Sequence, residues 1–126
     1  MQEHQQHIVE EYIAAYNHKD VVGMVKHLHE ELIFENITGG EVDLRLEGKA
    51  AFRQQAEQAT AYFSERKQTP TAWKFEGGLV TVELDYQATL AMDFPNGMKA
   101  GEELKMKGKS VFQFAGDLII KLQDIS

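Results

Sequence analysis

The chain has no cysteine, which excludes a disulfide framework, a thiolate metal site and a cysteine nucleophile and leaves the redox compartment unspecified. Proline is scarce, at two of 126 residues, and no stretch rich in proline, glycine and serine marks a linker. With no internal repeat either, residues 1–126 read as one domain, large enough to bury roughly two-thirds of its unfolded surface. No apolar run approaches the roughly 20 residues of a membrane span. The opening Met1-Gln2-Glu3-His4 offers neither the basic nor the apolar region of a secretory signal, so the expected location is cytoplasmic. Basic residues are in deficit, 13 against 20 acidic, for a net charge of -7. That balance opposes nucleic acid and anionic lipid as partners. A glycine-rich phosphate loop, a serine nucleophile elbow and a zincin pattern are all missing.

What is present divides into a helical first half and a strand-rich second half. Ile8, Tyr12 and Ala15, widened by Val9, Ile13 and Tyr16, form the stripe of an amphipathic helix. Asn17-His18-Lys19 breaks it, and Asp20 is suited to cap a second, short helix bearing Val21, Met24, Val25 and Leu28. A strand then ends at Asn36, Gly39-Gly40 makes a loop, and Leu44-Arg45-Leu46 suggests a brief strand. Phe52, Ala56, Ala59 and Phe63 mark a third helix, after which Pro70 closes a linker. From Thr71 the period becomes two. Val80 through Met92 alternate apolar on even numbers and polar on odd, the pattern of a sheet with one wet face. Closing the hairpin about Asn96 sets Asp93 beside Lys99, Asp85 beside Lys107 and Glu83 beside Lys109. The lysine row therefore reads as a solvated charge ladder rather than a polyanion site.

Polar residues on the apolar faces are where function is to be sought, because burying them without a partner is costly. Parity places Tyr86 and Ser110 inward, Asn36 beside Phe34, and Tyr12 and Tyr16 on the first helix. Each also has an ordinary structural reading: a tied core tyrosine, a small space-filler, a turn cap. Asp124 depends on the last turn. A two-residue loop at Gly116-Asp117 turns Ile119, Lys121, Gln123 and Ile125 inward, whereas a three-residue loop keeps Asp124 inside. The histidine pairs His4/His7 and His27/His29 bring no third ligand at fixed spacing, so no metal site is expected.

Four stretches, Tyr12–Asp20, Leu32–Asn36, Gly48–Phe52 and Ser110–Phe114 with the final strand, together resemble the nuclear-transport-factor-2-like superfamily, which includes SnoaL-like polyketide cyclases and ketosteroid isomerases. The resemblance implies an α+β, cone-shaped fold, with three N-terminal helices packed on a strongly curved mixed or antiparallel sheet around an apolar pocket. It also implies a homodimer. It places Tyr12 where the isomerases hold an oxyanion-donating tyrosine, Asn36 where they hold the aspartate base, and Ser110 where they hold a second acid. An amide cannot take up the proton, so the steroid isomerase mechanism is disfavoured. The cyclase branch points instead to Asp124 as acid/base.

Two readings stay open. One is a cofactor-independent isomerase, cyclase or dehydratase using Asp124 and Tyr12. The other is a non-catalytic module for dimerisation or for a small apolar ligand, held by Phe34, Tyr16, Trp73, Tyr86 and Met106 and oriented by Asn36 and Ser110.

Overall fold

The computed structural model describes residues 2–126. Helix α1, Gln2–Asn17, buries the predicted stripe Ile8, Val9, Tyr12, Ile13 and Ala15. The chain leaves it through Lys19 in the left-handed region at φ 56°. The Lys19 ammonium donates to the carbonyls of Phe63 (2.6 Å) and Ser64 (2.9 Å), which ties the strained corner to the sheet. Helix α2, Val21–Val25, starts at Asp20, whose carboxylate accepts from the Gly23 amide at 3.1 Å. A Cβ on Gly23 would lie 2.6 Å from that carboxylate and 2.9 Å from the Ala15 Cβ, so α2 packs closely on α1 only with glycine there.

Six strands follow with one helix between them: β1 Leu28–Thr38, β2 Glu41–Glu47, α3 Lys49–Ala59, β3 Phe63–Glu76, β4 Leu79–Leu90, β5 Glu103–Ala115 and β6 Leu118–Ile125. They form one sheet in the order β2-β1-β6-β5-β4-β3. The β1/β6 pair is parallel and every other pair antiparallel. The fold is therefore α+β with a mixed sheet, as expected. The hairpin register also agrees with the charge pattern: Glu83 pairs with Lys109 and Asp85 with Lys107, and Lys99 lies 3.8 Å from Asp93.

Four expectations are corrected. Leu28 opens β1 rather than ending α2, since the short helix stops at Val25. Phe63 likewise opens β3 instead of closing α3. Pro70 lies within β3, where its missing N–H is tolerated because β3 is an edge strand with an irregularity between Pro70 and Ala72. Met92, expected to be inward, lies past the end of β4 and is 43% exposed.

The last turn joins features of both alternatives. Ala115 pairs with Leu118, so the loop is the two-residue Gly116-Asp117 and Ile119 turns inward, 1% exposed. The register then slips by one between Phe114↔Ile119 and Gln113↔Lys121, leaving Ile120 as an extra residue. That bulge restores the parity, and Leu122 and Asp124 point to the core side.

Helix α1 crosses the sheet with the Tyr12 ring edge-on to Phe112, centroids 5.5 Å apart. Phe34 of β1 meets Phe52 of α3 in the same way at 5.3 Å. Side chains in register across three strands, Phe34, Leu122 and Phe112, make an apolar layer. This layer is the floor on which the polar residues stand.

Candidate functional site

Two residues further along the same strands, the row becomes Asn36, Asp124 and Ser110. Asp124 is thus flanked on both sides by polar groups and seated beside the apolar floor. Ser110 is buried and donates its hydroxyl to Asp124 Oδ1 at 2.6 Å. Burial pushes the Asp124 carboxyl up to about 6, against the opposing pull of that hydrogen bond. It can therefore both hold and release a proton near neutrality.

Two adjoining pockets border this row, called here the inner and outer lobes. The inner lobe, about 160 Å³, is bounded by Tyr12, Phe34, Leu46, Phe52 and Ala56, among others, with Arg66 also in its wall. The outer lobe, about 430 Å³, is bounded by Gln68, Leu84, Tyr86, Met106 and Ser110, among others. Tyr16, Asn36 and Asp124 line both lobes.

The tyrosines differ in what they can offer. The Tyr16 hydroxyl donates to that of Tyr86 at 3.2 Å. Tyr12 makes no hydrogen bond to another described residue, and no buried polar side-chain atom among them lacks a partner. Its hydroxyl is therefore open to the inner lobe. Burial holds the Tyr12 phenol well above its ordinary range; the Asp124 charge adds to the effect and Arg66 opposes it. Burial likewise raises Tyr16 and Tyr86. All three stay protonated and act as donors.

Asn36 is held by a carboxylate that sequence reasoning missed. Its amide donates to Asp43 Oδ1 at 2.8 Å and the Thr38 hydroxyl to Asp43 Oδ2 at 2.9 Å. The Asn36 amide first, then Thr38, hold the Asp43 carboxyl below its usual range. Asp43 occupies this place because the β1/β2 register slips between Asn36↔Leu44 and Ile37↔Val42, leaving it as the unpaired residue. Nothing in the sequence around Asp43 signals that bulge.

Arg66, 5% exposed, was also missed. It sits on β3 with its Nε donating to the Tyr16 carbonyl at 2.8 Å and its carbon Cζ 3.9 Å from the Tyr16 ring centroid. Gln68, two residues on and also buried, exchanges backbone hydrogen bonds with the Asn17 side chain at 2.7 and 3.1 Å. These contacts clamp the end of α1 to β3 and fix both Tyr16 and Arg66. The segment Ser64-Glu65-Arg66-Lys67-Gln68-Thr69 contains no apolar residue, so its strand alternation was invisible to a hydrophobic pattern.

The remaining expectations sort simply. Phe34 lines the inner lobe, and Tyr86, Ser110 and Met106 line the outer, Met106 with 41% of its surface exposed. Trp73, expected to hold a ligand, lines neither lobe. It lies on edge strand β3 opposite Val82, stacked on Phe75 with centroids 6.1 Å apart and packed against the core. The irregularity after Pro70 sets it opposite Val82 of β4, so that Trp73 lies two strands from Ser110 in the sheet order. His27 meets Glu11 at 2.6 Å, His7 meets the same carboxylate at 3.3 Å, and His4 meets Asp117 at 3.2 Å. Among the described residues no group of three or more histidine, aspartate or glutamate side chains is arranged to hold a metal ion, and no helix is long and apolar enough to cross a membrane.

Comparison with known proteins agrees with this architecture. The family model of the SnoaL-like domain matches residues 9–122, and the chain belongs to that family. It is similar to a proposed polyketide cyclase from Xanthomonas campestris pv. campestris, with TM-score 0.85 and 17% identity over 98% of this chain and 90% of that one. It is similar also to IdmH, a proposed polyketide cyclase from Streptomyces antibioticus, with TM-score 0.79 and 12% identity over 96% and 90%. A third structure, a nuclear-transport-factor-2-like protein of unknown function from Burkholderia pseudomallei, gives TM-score 0.75 and 16% identity over 96% and 88%. At these identities the likeness is one of fold. No curated protein matches the chain.

Proposed function

We propose that the chain is a cofactor-independent enzyme of the isomerase, cyclase or dehydratase kind, in which Asp124 moves a proton at a carbon beside a carbonyl of a small, largely apolar substrate. One observation carries this reading: a carboxyl raised to about 6 lines both lobes, bonded to Ser110 and in register with Asn36. Ionised, Asp124 takes the proton as the C–H bond breaks and its electron pair spreads onto the carbonyl oxygen. The Tyr12 hydroxyl, open to the inner lobe, donates to that oxygen as its charge develops. Asp124 then returns the proton to another carbon, or to a departing hydroxyl. Family membership supports the reading, as do fold relatives that are themselves proposed polyketide cyclases.

A second reading, a ligand carrier without turnover, is favoured by one feature. Asn36 offers an amide already bonded to Asp43, so the site has one proton-accepting carboxylate at its centre and no second acid beside it. The same experiment separates the two. A panel of small cyclic ketones and 1,3-diketones is incubated with the protein in deuterated water, and loss of the α-proton signal is followed by NMR. The enzyme reading expects at least one member to exchange faster with the protein than without it. The rate should rise with pH through about 6 as the base ionises and fall by about 10²–10⁴ in Asp124→Asn. Exchange that is equal with the wild type and with Asp124→Asn, alongside saturable binding, overturns the enzyme in favour of the carrier.

A further inference from the structure

Arg66 is the one cationic side chain among the buried, described residues of an acidic protein. A guanidinium cannot discharge by losing a proton, so burying it without a counter-ion is costly. Yet no carboxylate of a described residue lies within 4.0 Å of it. Its Nε bonds the Tyr16 carbonyl at 2.8 Å and its Nη2 reaches only the Met24 thioether at 3.7 Å, a weak acceptor. Nη1 meets no acceptor among the described residues, and since no buried polar side-chain atom among them is without a partner, Nη1 is not sealed inside the protein. Arg66 belongs to the wall of the inner lobe, and the Tyr16 ring against its face and the Tyr16 carbonyl on its Nε fix the plane of the fork. A fork so held matches two oxygens of one planar anion. The rest of that lobe is largely hydrocarbon: Phe34, Leu44, Leu46, Phe52 and Ala56.

We propose that the cavity selects a small apolar carboxylate, whose carboxylate pairs with Arg66 in the inner lobe while its apolar body lies against Phe34 and Phe52 and reaches toward Asp124. This rests on the reading of the cavity as the ligand site, and it adds the charge of the substrate. Arg66 supplies affinity and register; Asp124 supplies chemistry. The inner lobe, at about 160 Å³, is large enough for one six-membered ring, and a second fused ring would have to reach past it along the residues it shares with the outer lobe.

The probes are 2-naphthoate and its neutral counterpart 2-naphthamide, titrated into the full chain by calorimetry and by amide chemical shifts. The naphthoate is expected to bind about tenfold or more tightly than the amide, with shifts at Tyr12, Phe52, Arg66 and Asp124. Arg66→Gln, its fold checked by the dispersion of its amide spectrum, should remove the preference, bringing naphthoate affinity down to that of naphthamide for the same variant. Equal binding of the two probes by the wild type overturns the proposal, and that comparison needs no variant. So does naphthoate binding that persists in Arg66→Gln. Shifts confined to Asn17–Lys19 and Gln87–Thr89 also overturn it, because those residues border a separate surface groove that Arg66 lines as well. Binding is read without turnover, so Asp124→Asn should keep the carboxylate preference. Discrimination without exchange removes the enzyme reading and leaves this one standing; exchange without discrimination does the reverse.

Discussion

Replacing Asp124 with asparagine removes a carboxyl whose ionisation the fold opposes, and the effect on stability has a defined sign. The folded-state value is about 6 against an ordinary 3.8. Between those values Asp124 binds more proton in the native chain than in the unfolded one, so its contribution to stability falls as pH rises through that window and is level above it. At about 1.4 kcal/mol per unit, a rise of roughly two units sets a ceiling of about 3 kcal/mol. The residue keeps some surface open to the cavity, where water screens the charge, so about 1–2 kcal/mol is the expected size. The asparagine oxygen still accepts from the Ser110 hydroxyl, and the apolar floor is untouched, so the substitution changes little else. Urea unfolding of both proteins in steps from about pH 4 to pH 8 gives the difference in stability at each pH. That difference should be near zero at the acid end and grow to about 1–2 kcal/mol in favour of Asp124→Asn above pH 6. Subtracting the wild type cancels whatever the groups common to both proteins contribute. A difference that is flat with pH would refute the reasoning, since it would mean that Asp124 ionises as freely in the fold as in the open chain.

Two further predictions concern the floor and the row above it. Leu122 is 0% exposed and lies in register between Phe34 and Phe112, so Leu122→Ala should cost about 2–5 kcal/mol in urea unfolding. A loss below about 1 kcal/mol would show that the layer collapses onto the gap. Asn36→Asp removes the amide donor to Asp43 and sets a second carboxyl in register beside Asp124. The Asp124 midpoint, followed by carboxyl-carbon NMR, should move upward from about 6 because like charges resist joint ionisation. A midpoint that stays or falls would place the side chain of residue 36 away from the cavity.

Much of the fold was legible because its signals are local. The stripe on α1, the Asp20 cap and the alternation from Val80 to Leu90 follow from burying one face of a regular element. The β4/β5 register was legible for a second reason: opposite charges at Glu83/Lys109 and Asp85/Lys107 leave one pairing electrostatically consistent. Asn36 beside Phe34, and Ser110 inward, follow from the same parity, whereas Leu122 and Asp124 do not. Where the signal was weak, the reading missed. Residues 64–69 of β3 carry no apolar residue, and so Arg66 and Gln68 were hidden in a supposed linker. Trp73 was drawn to the pocket by its chemistry, yet it lies beyond Gln68 on edge strand β3, opposite Val82 and stacked on Phe75.

The sequence by itself determined the fold class and where most of the polar residues stand relative to the core, because side-chain period and charge pairing are properties of neighbours along the chain. It also determined that Asn36 is no base, which is a matter of functional groups alone. Only the tertiary structure decided what depends on register between strands distant in sequence. A one-residue bulge at Ile120 turned Asp124 inward despite a two-residue loop, a second at Asp43 brought a carboxylate to Asn36, and an edge strand delivered Arg66 to the inner lobe. Each is a slip or placement of a single residue, too small to leave a trace in composition or periodicity, yet enough to decide which groups share the cavity.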